Sequence, residues 1–224
     1  MSETELVEED APPGRGEHRW PMALAALTAG VLHELLPKDF QIGNLWVYPI
    51  LMGALLILLI AGDPGLIDRE RHWLRVTTGL MIGLITAVNA VAAIRLVAKI
   101  LTGAPFESAR ELFATGAIVW LINVITFALW FWDLDGGGAA ARALAPDASG
   151  RSFVFPEMTM PEFVTDDWFP QFGDYLALSF NTATAFGPTD VSAIRRWAKM
   201  TMISESLISL VLATLVIARA VNVL

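Results

Sequence analysis

Cysteine is absent from this 224-residue chain, which removes disulfides, thiol nucleophiles and thiolate metal sites together and leaves the redox compartment unreadable. Histidine occurs three times; His18 and His72 have no partner at metal-ligand spacing, and there is no Walker loop, nucleophile elbow or His-Glu-x-x-His pattern. Enzyme chemistry has no foothold in such a chain, and no cofactor or metal is expected. A positive balance is lacking too: the net charge of −8 is the wrong sign for a nucleic-acid partner. No internal repeat of useful period is visible, which argues against transporters built from duplicated halves. The apolar core of a secretory signal would follow a positive n-region and precede a small-residue cleavage site; neither is seen, so the first apolar segment is expected to be retained.

What the chain has in quantity is apolar length. Hydrophobic residues make up 55% and charged residues 17%, the mean hydropathy is +0.55, and several runs approach or exceed the ~20 residues needed to cross hydrocarbon. This predicts an integral membrane protein of all-α class with room for one helical membrane domain and no large soluble one. The charge is uneven, because six acids lie in residues 1–19 and eight more between Asp133 and Asp174. Residues 1–19, polar and acidic with Pro and Gly, bury too little apolar surface to fold and are expected to be disordered.

The first apolar segment runs from Trp20 to Leu36, with Pro21 in the first turn and Pro37 at the close. The second, Leu45 to Ala61, stops at the breaker cluster Gly62-Asp-Pro-Gly65. The third, Trp73 to Leu101, is long enough to tilt or to project Arg95 and Lys99 beyond the hydrocarbon. These three occupy residues 20–104. The fourth, within 111–132, ends in Trp130, Phe131 and Trp132, which with Trp120 suit an interfacial aromatic belt. The connection 133–170 opens on the flexible-looking Asp133-Leu-Asp-Gly-Gly-Gly138, and its aromatic residues imply docking on the membrane domain. His33 and Glu34 mark an interfacial end. Asn89 and Asn123, inside the third and fourth segments, suit hydrogen bonding between helices.

Two arguments about orientation disagree. With five spans, Lys38, Arg95, Lys99, Arg110 and Arg219 share one side and the other ten Lys and Arg the opposite side, which the positive-inside rule makes cytoplasmic. The pore layout described next argues the reverse, and eighteen of the 23 acids also lie on the ten-cation side, where an acidic outer vestibule would concentrate cations. The expectation adopted is an outward filter and a cytoplasmic C-terminus.

Residues 171–190 read as a short helix and a turn, followed by Arg195, Arg196 and an inner spanning helix over 195–222. A helix of about ten residues from Asp174 to Thr184 rises only about 15 Å, so it exists at membrane depth only if protein surrounds it. Asp174 suits the positive end of its dipole, leaving the carbonyl end to favour cations. Ser179, Asn181, Thr182 and Thr184 offer polar groups either for lining a conduit or for bonding to neighbouring helices.

The run Ser179-Phe-Asn-Thr-Ala-Thr-Ala-Phe-Gly-Pro-Thr-Asp190 resembles the pore loop of the potassium-channel superfamily, Ser-Phe-Thr-Thr-Leu-Thr-Thr-Val-Gly-Tyr-Gly-Asp; Ser179, Phe180, Thr182, Thr184, Gly187 and Asp190 coincide. Arg196-Trp-Ala-Lys199, Glu205 and Ile217-Ala-Arg219 are similar to landmarks of the inner helix in bacterial two-helix pores. The chain also resembles uncharacterised actinobacterial membrane proteins that share this altered loop. The resemblance covers roughly 111–224 and implies a pore domain over 105–224, a homotetramer, a bacterial plasma-membrane location and passage of monovalent cations. It also implies a degenerate filter-like turn over Thr184, Ala185, Phe186, Gly187, Pro188, Thr189 and Asp190. Ala185 lacks the hydroxyl that the family uses to coordinate potassium, Pro188 fixes φ near −65° and removes an N–H, and Thr189 replaces a glycine. Potassium selectivity is therefore not implied.

Glu205, nine positions after Arg196, lies about 13 Å deeper, where a carboxylate is expensive and by default a functional candidate. Two readings stand: a ring of four carboxylates around an inner-helix cavity, or a neutral acid bonded to a hydroxyl of an adjacent pore helix such as Thr182. Ser209 is one turn further on the same face and takes the place of a hinge glycine. The functional expectation is a passive cation conduit; the alternatives are a non-conducting structural or partner-binding membrane protein of the same architecture, and a pathway for a small neutral solute.

Overall fold

The computed structural model describes residues 16–42, 46–67, 71–144, 150–165, 168–185 and 190–221. These form seven α-helices: α1 (Trp20–Glu34), α2 (Val47–Gly62), α3 (His72–Leu101), α4 (Ala109–Leu134), α5 (Ala139–Leu144), α6 (Phe172–Ala185) and α7 (Arg196–Val221). Two antiparallel pairs of two-residue strands complete the fold, β1 (Glu17–His18) with β2 (Leu66–Ile67) and β3 (Phe153–Val154) with β4 (Ser192–Ala193). The protein is all-helical apart from these pairs. Helices α3, α4 and α7 are long and apolar enough to cross a membrane. At 15 and 16 residues, α1 and α2 rise only about 22–24 Å, short of the ~30 Å hydrocarbon core.

The hub of the bundle is α4, which packs on α1, α3, α6 and α7. It starts two residues before the expected Glu111 because Ser108 and Glu111 form a capping pair: the Ser108 hydroxyl accepts from the Glu111 N–H at 3.1 Å, and the Glu111 carboxylate accepts from the Glu107 N–H at 2.6 Å. Satisfying these otherwise unpaired donors fixes the first turn. At the other end Phe131 and Trp132 are buried in the core, and Trp130 donates its indole N–H to Thr86 at 2.9 Å. Those aromatics therefore seal helix packing, where an exposed belt was expected.

Disorder through Arg19, as expected from composition, does not extend to residues 16–19. Glu17 and His18 pair with Ile67 and Leu66, and Arg19 makes an ion pair with Asp63 at 2.9 Å. Residues 1–15 lie outside the described residues. The glycine run after Asp133 is also no loose tether. Gly136, Gly137 and Gly138 adopt φ of 58°, 84° and 98°, a region that side-chain-bearing residues avoid, and this tight turn puts Asp135 into the interior. Arg95, expected to reach beyond the hydrocarbon, donates to the carbonyl oxygens of Asp39 and Gln41 at 3.1 and 2.7 Å, which ties the α1–α2 connection to the last turns of α3.

Candidate functional site

Helix α6 is wedged between α4 and α7. Against α4 it runs antiparallel: the Phe172 and Trp132 rings lie 6.2 Å apart, the Ser179 hydroxyl donates to the Val124 carbonyl at 2.7 Å, and Phe180 meets the edge of Trp120 at 5.8 Å. Against α7 it runs parallel, since Ser179 is hydrogen-bonded to Glu205 and Ser206 donates to the Thr182 carbonyl at 3.2 Å. Glu205 and Ser206 are near the middle of α7, so α6 descends about half the length of its neighbour.

The chain then comes back to where α6 began. Phe153 and Val154, which precede α6, pair with Ala193 and Ser192, which follow it, and the Ile194 N–H donates to the Ser152 carbonyl at 2.8 Å. The Phe153 ring touches both Tyr175 in the first turn of α6 and Trp197 in the first turn of α7, at 6.4 and 5.9 Å. Entry and exit of the α6 segment thus share one end of the bundle.

Two sets of buried groups hold α6 in place. At its start the helix begins at Phe172, earlier than Asp174, because the Asp174 carboxylate accepts from the Gln171 N–H at 2.8 Å and caps the turn. Glu17 accepts from the Phe172 N–H at 2.6 Å and from the Trp132 indole at 2.8 Å, and lies 3.8 Å from Arg142. Burial pushes the Glu17 carboxyl above its ordinary range, while these two donors and the Arg142 charge act in the opposite direction. Asp135 accepts from the Ser152 N–H at 2.5 Å and from the Tyr175 hydroxyl at 2.7 Å, and Arg142 donates to the carbonyls of Trp132 and Asp135 at 2.6 and 2.7 Å. None of Glu17, Asp135, Arg142 or Tyr175 is singled out by the sequence, where their partners are far apart; the one cue was the density of aromatics in 133–170.

The second set is deeper. Glu205 and Ser209 are fully buried within the single chain. The hydroxyl facing Glu205 belongs to Ser179, whereas the Thr182 hydroxyl turns back to the Leu178 carbonyl at 2.8 Å. Ser209 accepts from the Asn123 amide at 3.5 Å, and the Asn89 side-chain amide lies 3.3 Å from the Val119 carbonyl, so both asparagines face polar groups of neighbouring helices. Of the polar residues on α6, Ser179 and Thr182 are buried, while Asn181 and Thr184 are exposed. Thr184 also donates to the Phe180 carbonyl at 2.8 Å. Of the filter-like turn, Ala185 is the last residue of α6 and Asp190 is exposed; Phe186, Gly187, Pro188 and Thr189 lie outside the described residues. Among the described residues, no three His, Asp or Glu side chains gather as a metal-binding group.

The arrangement is a half-length helix held rigidly on two sides, with Gly173, Ala177, Phe180, Asn181 and Thr184 forming its exposed stripe. Their spacing places them on one helical face. No protein-family model, no curated protein and no solved structure matches the chain.

Proposed function

We propose that the chain is a multi-pass protein of the bacterial plasma membrane in which residues 105–224 supply one share of a homotetrameric, channel-like pore. In this reading monovalent cations pass without strong potassium preference. The observation that carries it is the path of α6, which dips half the length of α7 between two long apolar helices and returns to the end it left. Placed in a bilayer, such a helix needs protein on every side, and among the described residues its Gly173 to Thr184 stripe is left exposed. Copies of the chain around an axis would cover it, leaving Asn181, Thr184 and the carbonyl end of α6 at the centre, where a helix C-terminus favours cations. The broad apolar face of α7, including Ile203, Leu207 and Ile217, is then shared between neighbouring copies and lipid. Helices α1 and α2 bring the membrane helices beside the re-entrant α6 to five, the filter-like turn opens outward and the C-terminus is cytoplasmic.

A second reading, a non-conducting membrane protein of the same architecture, is favoured by the burial of Glu205 and Ser209 inside the chain, away from any shared lumen. Purified protein in liposomes, assayed for potassium, sodium and proton flux, separates the two. Comparable potassium and sodium flux is the expected result, and zero flux for every ion would eliminate the conduit.

A further inference from the structure

Glu205 and Ser179 meet in the interior between α4, α6 and α7, and neither is exposed. The Ser179 oxygen makes two close contacts there, one with the Val124 carbonyl at 2.7 Å and one with the Glu205 carboxyl. Two contacts of full hydrogen-bond length need two hydrogens. A serine hydroxyl carries one and a backbone carbonyl carries none, so of the three groups only the Glu205 carboxyl can bring the second.

The surroundings agree with that count. Among the described residues the second Glu205 oxygen has no partner, and Glu205 makes no ion pair. The other polar side chains at this level are engaged elsewhere. Thr182 on α6 donates to the Leu178 carbonyl at 2.8 Å, Ser206 on α7 donates to the Thr182 carbonyl at 3.2 Å, and Ser209 accepts from Asn123 of α4 at 3.5 Å. None of them carries a charge. A buried carboxylate with a single donor and no cation is expensive, whereas a carboxylic acid needs one acceptor and leaves only a neutral carbonyl oxygen unpaired.

We propose that Glu205 is a proton-binding site inside the bundle, and that the bound proton decides whether α6 is hydrogen-bonded to α4 as well as to α7 at this level. With the proton in place, Glu205 donates to Ser179 and Ser179 donates to Val124. Once the proton has passed to the aqueous phase, the carboxylate takes the serine hydrogen and the Val124 carbonyl loses its serine donor. The two arrangements are discrete, because a single hydroxyl hydrogen serves one acceptor or the other. The inference concerns the helix on which the permeation reading stands but does not depend on that reading, since a non-conducting protein would bind the proton equally.

Infrared spectra of the full-length protein in lipid nanodiscs test the assignment, with Glu205→Gln as the reference. Glutamine mimics the neutral acid, because its amide donates to Ser179 from the same place, so this variant is expected to fold. At neutral pH the native spectrum should contain a carboxylic-acid carbonyl band that Glu205→Gln lacks. Ser179→Ala should keep that band at a higher frequency, which assigns it independently of the glutamine variant. Hydrogen exchange, corrected for its intrinsic pH dependence, then tests the consequence. As the pH is raised until the band disappears, the α6 amides should lose about tenfold of their protection relative to those of α3, and in Glu205→Gln they should not. Identical acid bands in the native protein and Glu205→Gln, or an unchanged frequency in Ser179→Ala, would overturn the proposal. So would a band that outlasts the folded state, or α6 protection that stays the same when the band has gone.

Discussion

Ser179 of α6 and Glu205 of α7 are hydrogen-bonded to each other in the interior of the chain, and both side chains are fully buried. The Ser179 hydroxyl also lies 2.7 Å from the Val124 carbonyl, so one serine joins three helices. The second Glu205 oxygen has no partner among the described residues. Truncating the serine, in Ser179→Ala, therefore strands a buried carboxyl completely and is expected to cost about 1–3 kcal/mol. Glu205→Gln keeps a hydrogen-bonding group facing the Ser179 hydroxyl, its amide able to donate to the oxygen that Val124 leaves free, and is expected to cost less. Chemical or thermal unfolding in detergent measures both. If Glu205→Gln left stability untouched while changing which ions pass, the residue would face a lumen and this assignment would fail.

The approach of α4 to α7 depends on Gly116. A methyl group added there would lie 2.8 Å from Val216 Cγ2, closer than packed carbons tolerate. Gly116→Ala is expected to destabilise the pair by about 1–3 kcal/mol, and Val216→Ala in the same chain should return part of that loss. A double-mutant cycle on unfolding free energy detects the coupling; strict additivity would mean that the helices simply move apart.

Asp135 gathers the Ser152 N–H, the Phe153 N–H and the Tyr175 hydroxyl onto one carboxylate. Asp135→Asn removes the carboxylate charge that strengthens the Ser152 and Phe153 N–H bonds and forces the Tyr175 hydroxyl to turn and accept from the new amide, so a loss of about 1–3 kcal/mol is expected, with Tyr175→Phe milder. Because these bonds fix the start of α6, limited proteolysis between α5 and α6 should accelerate in Asp135→Asn before global unfolding begins. Equal protease resistance would show that β3 and β4 suffice to hold the segment.

Glu17 gives the fold a pH dependence of known sign. Burial raises its carboxyl above the unfolded value of 4.5, so the folded state takes up the proton more readily than the unfolded chain. Its contribution to stability is complete below the unfolded value and is lost as the pH rises through the higher folded one. Glutamine cannot titrate, so the Tm difference between the native protein and Glu17→Gln should move in favour of the native protein as the pH falls from about 8 to about 4.5. A gap that moves the other way would mean that the Trp132, Phe172 and Arg142 donors outweigh the burial.

Long apolar runs made α3, α4 and α7 legible to within a few residues, because hydrophobic length is a property of the segment itself. The buried acid at 205 was legible too, since a carboxylate ten residues into an apolar helix must find a partner in the fold. Which hydroxyl it finds depends on the rotation of α6 about its axis, and that is set by Val124 and Thr182 contacts that no local pattern encodes. Glu17 shows the limit of composition: averaged with five other acids it reads as solvated, yet its donors come from Trp132 and Phe172, 115 and 155 residues away. Asp135 was hidden for a related reason, as its glycine-rich neighbours look flexible until their positive φ values are seen to build a specific turn.

The path of α6 is the claim on which the permeation reading stands, and the absence of native cysteine makes it directly accessible. Single cysteines at Gln171, Asp190 and Val221, each in full-length protein in sealed vesicles of known orientation, would be treated with a membrane-impermeant maleimide. Gln171→Cys and Asp190→Cys are expected to react from the same face and Val221→Cys from the opposite one. Labelling of Gln171→Cys and Asp190→Cys from opposite faces would mean that the segment crosses the bilayer, and would rule out a re-entrant α6.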